Sequence, residues 1–254
     1  MKRFLVLLLL VGGAAAQPGE PFFRDESFNF EFLRVIGCAP YKGADIGECL
    51  QVREAIREGD FESWYAGWYA LAERIRRVGD ECAAAGHTVS AREAWLRASN
   101  YYRSAEFYLH GNPKDPRILE AWGKSRDLFV KAAATFDPPI RPVRIPYQGT
   151  TLPGYLYRVD DSGVARPTLL IQTGFDGIQE ELFPQAFAAL ERGYNVLTFE
   201  GPGQGAPLRE QGLTFRPDWE KVLTPVVDYA VTLDEVDSDR IALMGLSLGG
   251  YLAP

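Results

Sequence analysis

The apolar positions change period near the middle of the chain. From Gly43 to Phe136 they recur every three or four residues, the spacing of a helix face. Asp60 is placed to cap a helix whose apolar positions are Phe61, Trp64, Tyr65, Trp68, Leu71, Ile75 and Val78. Ser90 is placed to cap a second, with Ala91, Trp95, Ala98, Tyr102, Ala105 and Leu109 on one face. Asp115-Pro116 reads as a cap followed by proline at the first helical position, and opens a third helix carrying Ile118, Leu119, Trp122, Phe129 and Ala133. A shorter helix is expected around Ile46 to Ile56, and the stretch from Pro18 to Pro40 is aromatic-rich and less regular. Phe136-Asp137-Pro138-Pro139 stops the helical pattern, because adjacent prolines cannot continue it. The expected division is a helical cap domain over 17–138 and a second domain over 139–254.

Past the prolines the apolar runs are short. Val143 to Tyr147 and Leu152 to Val159 read as paired strands turning near Gly149. Thr168 to Gln172, Asn195 to Phe199 and Arg240 to Met244 have the compact apolar character of buried parallel strands. Helices are expected between them, over Gln179 to Arg192, ended by Gly193, and over Trp219 to Leu233. Strand–helix–strand alternation predicts a parallel sheet with right-handed crossovers, so the fold class is α/β behind an N-terminal α-helical domain.

The last strand runs into Gly245-Leu246-Ser247-Leu248-Gly249, a G-x-S-x-G sequence at a strand-to-helix turn. That context separates a nucleophile elbow from a chance match. The two glycines suit a tight turn, and the new helix aims free N–H groups at the serine. Ser247 is the candidate nucleophile, and the N–H of Leu248 is the expected oxyanion donor. The second donor is expected in the loop Thr173-Gly174-Phe175-Asp176-Gly177, from the Phe175 N–H. Glu200-Gly201-Pro202-Gly203-Gln204-Gly205 is a third glycine-rich loop, but it lacks a G-K-[ST] ending and no helix is expected to start at once, so it reads as structural. Asp176, Glu180 and Glu181 read as stabilising the helix start that follows them. His87 and His110 precede Ser247, and His110 suits a helix end better than a catalytic role.

The segments TGFDGIQEE, ALERGYNVLTFEGPGQG and DRIALMGLSLGGYLAP resemble the α/β-hydrolase superfamily. More narrowly they are similar to its branch with an α-helical domain ahead of the core, which includes FrsA-like esterases, the dihydroxypseudooxynicotine hydrolase type and fungal polyketide chain-shortening hydrolases. The resemblance implies Ser247 as nucleophile, with Leu248 and Phe175 carrying the oxyanion N–H groups. It also implies an acid and a histidine after later strands. Only five residues follow Gly249, and none is His, Asp or Glu. The expectation is an incomplete α/β-hydrolase sheet, a fragment of a longer enzyme that is inactive alone. The rival is a non-catalytic helical binding protein, although no convincing 34-residue repeat is visible.

Composition narrows the picture further. An apolar fraction of 46% over 254 residues suffices for a packed core, and a net charge of -7 argues against nucleic acid as a partner. A small-molecule substrate is expected, with no cofactor and a homo-oligomer left open. Lys2-Arg3, the apolar run Phe4 to Val11 and Ala14-Ala15-Ala16 have the order of a signal peptide over 1–16, giving export to a secreted or periplasmic location. The run is too short to serve as a membrane anchor. Cys38, Cys49 and Cys82 permit at most one internal disulfide, with Cys38 and Cys49 the nearer pair and buried thiols the alternative. No metal site is assigned. The aromatics Trp64, Tyr65, Trp68, Trp95, Tyr101 and Tyr102 fit either an aromatic-substrate pocket or a core.

Overall fold

The computed structural model of the chain describes residues 21–253. The expected signal peptide over 1–16 lies outside the described residues. Five helices come first: α1 (Glu26–Ile36), α2 (Ile46–Ala55), α3 (Phe61–Ala84), α4 (Thr88–Glu106) and α5 (Pro116–Ala133). Aspartate starts four of them. The side chains of Asp25, Asp45, Asp60 and Asp115 accept from the N–H groups of Phe28, Glu48, Ser63 and Arg117. Ser90 is no cap, contrary to its sequence position. Gly86, at φ 77°, reverses the chain directly after α3, so α4 starts at Thr88 with His87 ahead of it.

α4 packs between α3 and α5. Trp64, Trp68, Tyr101 and Tyr102 are fully buried there, and the Trp64 indole N–H donates to the Ser104 carbonyl at 2.8 Å. These aromatics are core. No helix among the described residues is long and apolar enough to cross a membrane.

The strands are β1 (Arg141–Tyr147), β2 (Thr150–Tyr157), β3 (Arg166–Gln172), β4 (Asn195–Phe199) and β5 (Val236–Gly245), and their order in the sheet is β1-β2-β4-β3-β5. β4, β3 and β5 are parallel, as the alternation requires, while β2 pairs antiparallel with both β1 and β4. The sheet is therefore mixed, because the tight connection at Gly149 allows only an antiparallel hairpin. Four further helices follow: α6 (Phe183–Leu190), α7 (Gly205–Gln211), α8 (Glu220–Ala230) and α9 (Leu248–Leu252). The single helix expected over Gln179 to Arg192 is instead a 3₁₀ turn, Gln179–Leu182, followed by α6. Pro184 explains the break, since its missing N–H is tolerated only in the first turn of a new helix. α7 was not expected at all. It begins directly after the third glycine-rich loop, with Pro207 in its first turn, where the absent N–H costs nothing.

Side chains alternate along the strands. Tyr155, Tyr157, Ile171 and Val196 join one buried cluster with Phe32, Phe129 and Phe183. Leu152, Leu156, Leu170, Leu197 and Phe199 meet Trp219, Val222 and Val226 of α8 on the opposite face. The helical region and the sheet thus share a core. Charge joins them as well. Buried Arg103 reaches Glu31 at 3.1 Å and Glu181 at 3.4 Å, and Arg34 pairs with Glu181 at 2.7 Å. This ties α1 and α4 to the 3₁₀ turn. The three cysteines are free thiols, and burial pushes those of Cys38 and Cys49 up to about 12, which leaves them unreactive.

Candidate active site

β5 delivers the chain to the sheet's carboxyl end, where the Leu246 N–H donates to the Gln172 carbonyl at 3.1 Å. The next residue, Ser247, has φ 54° and ψ −126° and is exposed. A residue with a side chain pays for that conformation in strain, and it persists only where the surroundings impose it. The surroundings here are glycines. A Cβ on Gly245 would lie 2.1 Å from the Gly249 carbonyl oxygen, and one on Gly249 would lie 2.2 Å from the Thr173 oxygen. Only hydrogen at both positions lets the turn close.

The loop after β3 lies against the serine. A Cβ on Gly174 would meet Ser247 Cβ at 2.8 Å and Ser247 Oγ at 3.1 Å. Among the described residues, neither the Phe175 nor the Leu248 N–H has an acceptor, whereas the Gly249 and Gly250 N–H groups bond to the carbonyls of Leu246 and Ser247. Ser247 and Leu248 thus lie beside the loop that carries Phe175.

The acidic residues behind that loop do three different things. Glu181 accepts from the Ile178 N–H at 2.9 Å, at the start of the 3₁₀ turn, as its position suggested. Asp176 pairs with Arg34 at 3.6 Å. Glu180 instead turns into the core, where it accepts from the Tyr155 hydroxyl at 2.7 Å and its other oxygen has no partner among the described residues. Burial, and then the Glu200 carboxylate, push the Glu180 carboxyl up to about 8. Glu200 is buried too, accepting from the Gln179 and Ala206 N–H groups at 2.9 and 2.8 Å.

Glu180 therefore makes stability depend on pH. Its folded pKa is raised, so the native state binds more protons than the unfolded chain from about pH 4.5 to 8, and stability falls across that window. Glu180→Gln is expected to reduce this slope, with the gain in Tm over the parent larger at pH 8 than at pH 5; Glu200, also raised by burial, keeps a share of it. Thermal melts at the two pH values check it, and an equal change at both would contradict the assignment.

Beside the site is a cavity of about 520 Å³ between α5 and the loops around α7. Ile118, Leu119, Phe175, Leu208 and Phe215 supply apolar wall, and the rings of Phe175 and Phe215 stack at 5.7 Å. Arg209 and His110 also line it. Both contact buried Glu106, Arg209 at 2.8 Å, so the guanidinium charge is already matched. Sequence reasoning placed His110 at a helix end and missed the cavity, whose walls come from three separate stretches of the chain, around Leu119, Phe175 and Leu208. His87 is exposed at the start of α4. Among the described residues, no group of three or more His, Cys, Asp or Glu side chains is arranged to hold a metal ion.

A mixed sheet covered by helices on both faces, with a strained serine between a parallel strand and a helix, defines the class: this is an α/β hydrolase with a helical region ahead of its sheet. The family model for Esterase FrsA-like proteins matches residues 59–253, and the chain belongs to that family. It is 46% identical over 240 residues to Hydrolase LUC6 of Fusarium sp, covering 91% of this chain and 57% of that protein. It is 44% identical over 241 residues to the 20-hydroxy-prefusarin hydrolase FUS2 of Gibberella moniliformis, again covering 91% of this chain and 57% of the relative. Among solved structures, the 2,6-dihydroxy-pseudo-oxynicotine hydrolase superposes with a TM-score of 0.73 at 26% identity, over 87% of this chain and 58% of that one. The chain spans somewhat more than half the length of the relatives it matches.

Proposed function

We propose that the protein is a serine hydrolase acting on a carbonyl substrate, with Ser247 as nucleophile. Ser247 Oγ attacks the carbonyl carbon, the Leu248 and Phe175 N–H groups hold the resulting oxyanion, and water releases the acyl group from the serine. The observation that carries this reading is the strained, exposed Ser247 with two unpaired N–H groups beside it. In this proposal the general base and its acid partner are not assigned among the described residues, and this chain covers only 57% and 58% of two of its relatives. Substrates fall among esters, amides and β-dicarbonyl C–C bonds, since one triad chemistry serves all three. The apolar cavity favours an uncharged substituent, because Arg209 is occupied by Glu106 and offers no free cation.

The test is labelling of the complete protein with a fluorophosphonate, followed by peptide mapping. The label is expected on Ser247, and a label on any other residue refutes the proposal. We also propose export, from the charged, apolar and small-residue order of residues 1–16. Mass spectrometry of the protein from its native host is expected to find the mature chain starting at Gln17, and a soluble cytoplasmic chain retaining Met1 would refute it.

A further inference from the structure

We propose that Gln204 is a positioning residue that sets the oxyanion hole, an inference that rests on the serine-hydrolase reading above. Gln204 sits in the third glycine-rich loop, which takes no other part in the proposed mechanism. The Gln204 side chain is buried and makes three hydrogen bonds, one through Oε1 and two through Nε2. Its Oε1 accepts from the Gly201 N–H at 2.9 Å. Its Nε2 donates to the Thr173 carbonyl at 2.6 Å and to the Gly174 carbonyl at 3.1 Å. One N–H partner and two carbonyl partners leave a single orientation for the amide.

The Gly174 carbonyl belongs to the same peptide group as the Phe175 N–H. That peptide is trans, so its N–H points away from its C=O. Holding the carbonyl from behind therefore fixes the direction of the N–H, in the loop whose Gly174 lies against Ser247. Gly174 has no side chain to resist rotation of this peptide, and a Cβ there would collide with Ser247. The restraint has to come from outside the loop, and Gln204 supplies it. Donation into the carbonyl also polarises the amide and strengthens its N–H as a donor.

The second bond sets the distance between the two donors. The Thr173 carbonyl held by Gln204 is the one against which Gly249 packs, at the first turn after Leu248. Gln172 holds the other side of that contact, donating to the Gly249 carbonyl at 2.7 Å while accepting from the Trp219 indole at 2.9 Å. Gln204 thus fixes the Phe175 N–H relative to the Leu248 N–H.

The experiment uses the complete enzyme and two variants beside Ser247→Ala. Gln204→Met removes all three bonds at similar volume. Gln204→Glu keeps an acceptor for Gly201 but loses both donors, and is the second variant should Gln204→Met give too little folded protein. Removal of one oxyanion donor costs about 10²–10³ in kcat, so misdirecting one is expected to cost about 10–100-fold, with KM within about twofold. Turnover is counted per serine titrated to completion with fluorophosphonate, which corrects for lost folded protein. A purely structural glutamine would lower Tm and yield but leave kcat per titrated serine unchanged; kcat within about twofold of the parent in both variants overturns the proposal. Turnover persisting in Ser247→Ala would instead overturn the nucleophile reading, and this inference with it.

Discussion

Ser247→Ala in the complete enzyme is expected to lower kcat by about 10⁶-fold and to leave substrate affinity within a few-fold of the parent. The large effect follows from what the hydroxyl does. In the proposed mechanism it forms the covalent intermediate, and no neighbouring residue offers a replacement nucleophile at the same point of the turn. The small effect on affinity follows from where the cavity lies. Its walls are α5 and the loops around α7, and Ser247 is not among the residues that line it. Residual catalysis of about 10³–10⁴ over water is expected from the oxyanion hole and binding alone. Steady-state kinetics, with equilibrium binding of a non-hydrolysable substrate analogue, measure both quantities. A variant that turns over at a tenth of the parental rate would remove Ser247 from the mechanism.

Gly245→Ala is the second large effect expected. The added methyl would stand 2.1 Å from the Gly249 oxygen, 2.4 Å from its carbonyl carbon and 2.6 Å from the Gly250 nitrogen. All three are backbone atoms of the helix that receives the turn, so no side chain can rotate away to make room. The backbone has to move by about an ångström, enough for Ser247 to leave its strained conformation, and such displacement costs catalysis about 10²-fold or more. Overpacking of this kind destabilises by about 1–3 kcal/mol, and the unyielding neighbours here put it at the upper end. Activity below about 1% with a lowered Tm is expected, and circular dichroism melts with kinetics measure it. A fully active Gly245→Ala variant would show that the tight turn is dispensable.

Most elements could be located from the chain alone because their signals are local. Aspartate caps, the helical period and the compact strands around Leu170 and Leu197 require no distant partner to be recognised. The fold class and family resemblance were legible for the same reason, since the glycine-rich loops and the serine turn are short motifs. What failed depended on contacts far apart in sequence. α7 looked like a loop because Gly203, Gly205 and Pro207 are poor helix formers, and it is Glu200, accepting from the Ala206 N–H, that steadies its start. Glu180 looked like a helix-start carboxylate, but Tyr155, 25 residues earlier, draws it into the core. Gln204 gave no signal as an isolated residue. Its role depends on two carbonyls about 30 residues before it.

The shared core and the Arg34, Arg103, Glu31 and Glu181 cluster bear on molecular traffic. A helical layer that swung open as a lid would strip Glu181 of two arginines and bare Tyr155, Tyr157 and Phe183 to water. That opening approaches unfolding in cost, so α1 to α5 form a fixed wall and not a gate. In the proposed reaction, entry and exit then fall to the cavity's own rim, where Leu119, Phe175 and Leu208 already stand exposed. Passage would be timed by the rotation of a few side chains, and a covalent clamp between the helical layer and the sheet would leave it open.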